Sequence, residues 1–267
     1  MRKFTVLVVS LLIFSNLTNA QVRGRINTDR INTERAVGAV VQGVQSFTIT
    51  DAQVIQHTNE FMEWMDDNNP LCRIDDADAG KRAVAQRLAN IASAVPQELI
   101  DRYNLDIQAY FVRDVNAFAA ANGAIRIFAG LMEVMNDDEI LAVIGHEIGH
   151  IANQDSKDRF VRALRVSAFR DAVGAVDGGR LSDSQLGELS VALANAQYSQ
   201  SQEFEADAYG FDFMRKIGRD PNAMASALGV LLRMQQEAGS AGNSRFASLF
   251  SSHPDLERRI ERLNARR

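Results

Sequence analysis

The chain is 267 residues long, 46% apolar and 24% charged, with a formal net charge of −5. This balance excludes a disordered or collagen-like chain, and the mild acidity leaves no broad electrostatic footprint for nucleic acid. One cysteine, Cys72, excludes an internal disulfide; close to Pro70, it reads as a packed residue and not as a reactive thiol.

Residues 1–20 read as a secretory signal peptide. Arg2 and Lys3 form a basic start, Phe4 to Phe14 an apolar run, and Thr18-Asn19-Ala20 a small-residue cleavage site. No cysteine follows, so no lipid anchor is expected there. Removing this segment leaves a mature charge of −7 and no later apolar stretch of spanning length. The expected organisation is a signal peptide (1–20), a loose arm (21–32) and a single domain (33–267). The expected location is the periplasm or the outside, with membrane association left open.

Helices dominate the rest. Thr33-Glu34 caps a first helix to about Phe47, and Asp51 starts a second that ends at Asp66 to Pro70. Asp78 to Ala94 reads as a third, stopped near Pro96. Leu105 to Val112 then alternates as a strand does, Ala117 to Ala120 offers a second strand, and Asn122-Gly123 makes a hairpin turn into Ala124 to Phe128. Because it lies just before the next helix, 124–128 is expected to be the edge strand beside the cleft.

Asn136 caps that helix, and Asp137-Asp138-Glu139 suit its N-terminal dipole. Lys157 to about Val176 follows, then a loop at Gly178-Gly179. Leu181 to Ile217 is helical by pattern but too long to run straight, and a break is expected near Tyr198-Ser199. Asp220-Pro221 opens a helix to about Ala238. Gly239 to Ser252 is a Gly/Ser-rich stretch expected to move, and Pro254 opens a last charged helix to Asn264.

The chemistry sits in His146-Glu147-Ile148-Gly149-His150. Four residues apart on a helix, His146 and His150 differ by about 40° of rotation and can offer two imidazoles to one cation. Glu147 is placed to act on a metal-bound water as general base, the arrangement of a zinc metallopeptidase. Such an ion lowers its water's pKa toward ~7 and polarises the scissile carbonyl. Gly149 permits close packing beside the metal.

A catalytic zinc takes a third protein ligand and keeps one open position. The metzincin pattern needs Gly at 153 and His at 156, where this chain has Asn153 and Ser156. A glutamate on a later helix is the alternative: Glu203, 53 residues after His150, can bind zinc while Asp207, one turn later, accepts the free N–H of a ligand histidine, the other reading of the pair being an ordinary solvated helix face. Glu205 lies on another face. His57 has no partner motif and reads as a surface or packed histidine; Trp64 and the phenylalanines read as core.

These motifs together resemble the zinc metalloendopeptidase family of the CAAX prenyl protease and HtpX, over roughly residues 50 to 265. The likeness rests on Val143 to Ile151, Tyr198-Ser199, Glu203-Phe204-Glu205-Ala206-Asp207, His253-Pro254 with Arg259-Ile260, and upstream Asn116-Ala117-Phe118 and Gly130-Leu131. It is nearest to the small soluble exported branch, similar to the LoiP and YcaL peptidases. The resemblance implies a mainly α (α+β), zincin-like fold with a small antiparallel or mixed sheet beside the active-site helix. It implies one zinc per chain on His146, His150 and Glu203, with Glu147 catalytic.

The resemblance also gives His253 a site role, either as a donor to the tetrahedral intermediate or as an occupant of the open zinc position. Arg259 either binds substrate or pairs with an acid, and Asn116 is a further candidate of substrate-binding or structural kind. One departure is Gln200, where the family usually has Arg two residues after the tyrosine. Two function classes remain: an endopeptidase for exported or envelope proteins, including misfolded ones, and a zinc-containing chaperone-like or binding module with little hydrolysis. The intact Glu147 favours the first. Polypeptide substrates are the expected partners, with other envelope proteases or chaperones as candidates; nucleic acid and a spanning segment in the mature chain are not expected.

Overall fold

Helix starts in this chain are set by side chains that satisfy the first free amides. A computed structural model describes residues 49–170, 179–239 and 252–266. The signal peptide, the arm, the first expected helix, the end of the helix expected to reach Val176, the glycine loop up to Gly178 and most of the Gly/Ser-rich stretch lie outside the described residues.

Helix α1 (Asp51–Asn68) starts at a reciprocal box between Thr50 and Gln53. Helix α2 (Ala79–Ala92) starts at Asp78, whose carboxylate accepts from Gly80 and Lys81. Helix α3 (Gln97–Tyr103) fills the segment after Pro96, which carried no periodic signal, and ends at Asn104 in the left-handed region.

Three strands follow, β1 (Asp106–Tyr110), β2 (Ala117–Ala119) and β3 (Ala124–Phe128), in the order β1-β3-β2. The pair β1–β3 is parallel and β2–β3 antiparallel, so the sheet is mixed. Segment 124–128 is therefore the central strand, not the edge strand expected from its sequence position. All five of its residues are buried, and it has partners on both sides.

The free edge belongs to β2. Phe128 N–H donates to Asn116 O, and Ala120 N–H to Ala124 O. In that register residues 116, 118 and 120 turn their main-chain groups toward β3, while Ala117 and Ala119 turn theirs away. The outer side of β1 is closed by Cys72 N–H to Ala109 O and Phe111 N–H to Pro70 O. Arg126, on β3, is clamped by Asp66 and Asp106, and Tyr110 OH donates to Asp66 at 2.6 Å, which ties the sheet to the end of α1.

Helix α4 (Ala129–Val134) leads into α5 (Asp137–Ala152), which is capped by an Asn136/Glu139 box. Then come α6 (Asp155–Arg170), α7 (Asp183–Asn195), α8 (Gln200–Lys216), α9 (Asn222–Gly239) and α10 (Leu256–Asn264). The break in the long helical stretch falls at Ser199, the cap of α8. Pro254 lies just before α10 and not in its first turn; the cap is Asp255, at φ 63°.

One hydrophobic core joins α2, the sheet, α5, α8, α9 and α10. A second lies under α1, α6 and α7, where Phe61, Phe160, Leu186 and Leu189 meet and Trp64 packs on the rim. His57 is fully buried there beside Glu60. Cys72 is buried, and burial pushes its thiol up to about 11. No helix among the described residues is long and apolar enough to cross a membrane.

Candidate metal centre

Helix α5 is buried on every side from Glu139 to His150. Its closest neighbour is α8, and glycines set that approach. A Cβ on Gly149 would stand 3.0 Å from Ala206 Cα and 2.9 Å from Tyr209 Cβ; one on Gly145 would stand 2.5 Å from a Phe213 ring carbon. A Cβ on Gly210, from α8, would in turn stand 3.1 Å from His146 N. This contact brings Glu203 over the face that carries His146 and His150.

His146, His150, Glu203 and His253 can each place one ligand atom within 4.8 Å of all the others, and all four are buried. His146 Nε2 is 3.8 Å from Glu203 Oε2, and His150 Nε2 is 3.5 Å from Glu203 Oε1. Donors around a tetrahedral zinc at ~2.0–2.1 Å lie about 3.3 Å apart, so these spacings suit an ion between them. His150 Nε2 is buried without a hydrogen bond, a cost that a cation on that atom removes. Three imidazoles and a carboxylate are a donor set for a borderline-soft divalent metal.

Each of these side chains has a neighbour behind it. His146 Nδ1 stands 3.0 Å from Asp207 Oδ1, off the line of a good hydrogen bond. Arg259 grips Asp207 with two bonds of 2.8 and 2.7 Å, and its third nitrogen lies 2.5 Å from Glu203 Oε2. Arg259 is 2% exposed; its place is against both acids. His253 Nδ1 is 2.9 Å from Glu203 Oε1, and its Nε2 is 4.0 Å from Glu147 Oε1. Glu147 Oε2 is buried with no hydrogen-bond partner.

Burial raises the Glu203 carboxyl, but His253, Arg259 and His150 outweigh it and hold the group well below the usual carboxylate range. Asp207 is brought to about 2 by Arg259 and His146, again against burial. Burial pushes His146 and His253 down. For His150 burial acts the same way, yet Tyr198, Asp155 and Glu203 push it up to about 10.

Several contacts were not read from the sequence. Asp155 and Gln202 reach His150 through hydrogen bonds, and the Tyr198 ring stacks on His150 at 3.8 Å and 9°. Arg159 lies over the other part of this stack, 4.9 Å from the Tyr198 ring centre. Gln200, the departure from the family pattern, donates to Asp255 at 2.7 Å and so ties the start of α8 to the His253 turn. Asn116 has a structural place: its side chain accepts from Ala117 N–H and its carbonyl from Phe128 N–H, at the start of β2. His57 and Trp64 take no part.

A sequence model of peptidase family M48 matches residues 81–267. The chain is 32% identical to metalloprotease LoiP of Escherichia coli K12 over 266 residues, 99% of this chain and 97% of that one. It is 32% identical to metalloprotease YcaL of the same organism over 258 residues, 96% of each. A protease HtpX homologue of Pyrococcus abyssi is 32% identical over 184 residues, 55% of this chain and 62% of that one. Because the family match takes in the cluster of His146, His150, Glu203 and His253, and LoiP and YcaL match the chain nearly end to end, the chain belongs to peptidase family M48, as a metalloprotease acting on polypeptides through a divalent metal.

Proposed function

We propose that this protein is a zinc endopeptidase of exported or envelope proteins, with His146, His150 and Glu203 as zinc ligands and Glu147 as general base. The observation that carries the reading is the convergence of three buried donors from α5 and α8 beside a buried carboxylate oxygen with no partner of its own. Zinc held there acidifies a water and polarises the scissile carbonyl. Glu147 takes the proton from the attacking water and passes it to the leaving amine, for which its uncommitted Oε2 is suited. His253, whose Nε2 lies 4.0 Å from Glu147 Oε1, serves either the oxygen that gains charge, in the form with its proton on Nε2, or the open metal position, in the form with its lone pair there.

The polypeptide adds to the outer edge of β2 through Ala117 O and the main-chain groups of Ala119, which point away from β3, while Ala117 N–H is taken by the Asn116 side chain. Pairing of this kind reads backbone and tolerates sequence. A cavity of about 200 Å³ lies along the same strand, between Phe61, Phe160 and Leu193, and has room for a substrate side chain. A scaffold without hydrolysis has no use for a base beside the metal, so Glu147 favours the enzyme. Export rests on the basic, apolar and small-residue pattern of residues 1–20.

The test is a digest of unfolded proteins by the zinc-loaded chain, with products read by mass spectrometry. Internal cuts are expected. Glu147→Gln keeps zinc and fold but loses at least ~10²-fold in rate; near-native turnover in that variant removes Glu147 from the mechanism. Cell fractionation, with an N-terminus read at Gln21, tests export.

A further inference from the structure

His150 is aimed by two residues outside the HExxH motif and outside the ligand set. Its Nδ1 lies 3.0 Å from Asp155 Oδ2, and that carboxyl is buried at 5% exposure. Asp155 opens α6 after a sharp turn in which Gln154 takes φ 64°. The turn brings the carboxylate back to an imidazole five residues earlier, a spacing no helix face provides.

The other Asp155 oxygen accepts from Gln202 Nε2 at 2.8 Å. Gln202 Oε1 accepts from Ser199 N–H at 2.9 Å, as its half of the capping box that starts α8. Both ends of this amide are therefore committed, and its orientation follows from its two partners. Glu203 is the next residue on α8. A continuous chain of hydrogen bonds thus runs from the start of the helix that carries Glu203 to the back of the His150 ring.

We propose that Asp155 and Gln202 are positioning residues for the metal-binding pair. Asp155 fixes the His150 tautomer with its proton on Nδ1, and Gln202 ties that carboxylate to the first turn of α8. Accepting at Nδ1 leaves the lone pair on Nε2, the buried atom without a hydrogen bond that faces Glu203. Turning the ring over would break the Asp155 bond. A shift of α8 along its axis would pull Gln202 off Asp155, so His150 and Glu203 keep one spacing. The stacked Tyr198 ring closes the face of the imidazole against tilting.

The inference rests on the metallopeptidase reading of His146, His150 and Glu203. Its test is a donor–acceptor swap in the full chain. Asp155→Asn leaves two amide donors facing each other; Gln202→Glu leaves two carboxylates facing each other. The double variant D155N/Q202E restores the pattern: Glu at 202 accepts from the amide of Asn at 155, whose oxygen accepts from His150. Zinc affinity is measured by competition with a chelator, coordination geometry by the ligand-field spectrum of the cobalt-loaded chain, and folding by thermal melting of the metal-free chain.

Each single variant is expected to lose about 10- to 100-fold in zinc affinity with an altered cobalt spectrum, and the double variant to return within a few-fold of the parent. Singles that bind zinc as the parent does overturn the inference. Loss in the singles with no recovery in the double overturns it too, because a purely structural role does not follow the hydrogen-bond pattern. A parent that binds no zinc overturns the metal-centre reading and this inference with it, which separates the two failures.

Discussion

Arg259→Met is the substitution whose cost follows most directly from the structure. The guanidinium is 2% exposed, makes two short bonds to Asp207 and lies 2.5 Å from Glu203 Oε2. Asp207 and Glu203 are both held ionised by it. Methionine fills a similar volume but leaves two buried carboxylates without their fixed cation. Removing one partner from a buried pair costs about 3–5 kcal/mol. For a unit of this size each kcal/mol lowers Tm by roughly 2–4 °C, so the metal-free variant should melt about 6–20 °C below the parent. Saturating zinc should narrow the gap, since an ion on Glu203 compensates one of the two acids while Asp207 stays bare. Arg259→Lys keeps the charge but cannot span both acids as a planar fork does, and should fall between. The assay is thermal melting followed by circular dichroism, with and without zinc. A methionine variant within 2 °C of the parent in both conditions would refute the claim that Arg259 neutralises the site.

His253→Ala should keep zinc, because three ligands remain, and lose on the order of 10²-fold in single-turnover cleavage if the imidazole acts as a transition-state donor. A rise in rate would instead make His253 a ligand that competes with water for the ion. Cys72 should resist alkylation at pH 8 until the chain unfolds, because burial raises its thiol to about 11. The neutral thiol is the form that the fold favours. Its contribution to stability is therefore full below the unfolded thiol's pKa, near 9, and is lost as pH rises toward 11; thermal melting across that window, against Cys72→Ala, checks the sign.

The site divides sharply into parts that are legible from local spacing and parts that are not. His146, Glu147 and His150 share one helix, so period alone places them, and the same period pairs Glu203 with Asp207. The break near Ser199 was legible because the stretch from Leu181 to Ile217 is too long to run straight, and the structure puts a Ser199/Gln202 capping box there. Asp155 was not, since a left-handed residue at Gln154 carries it to His150 and nothing in a helical count predicts that turn. Strand β3 misled for a related reason. The hairpin with β2 is written in Asn122-Gly123, but the parallel partner β1 arrives through tertiary packing, and only that pairing moves 124–128 to the centre.

Arg259 shows how a charged residue can carry more information than its class suggests. Helix α10 is rich in charge, and on composition alone its arginines belong in water. Yet its buried residues are Leu256, Arg259 and Leu263, at the spacing of an apolar stripe. A cation in the middle of such a stripe has two outcomes: it destabilises the helix, or it meets a buried anion. Here it meets two, Glu203 and Asp207, both on α8. The sequence left Arg259 open between substrate and an acid, because Leu256, Ile260 and Leu263 make an apolar stripe without it; the structure sets it against Glu203 and Asp207, four apart and beside a pair of histidines. Charge placed against its expected period is a tertiary signal, and in this protein it leads from the last helix back to the metal centre.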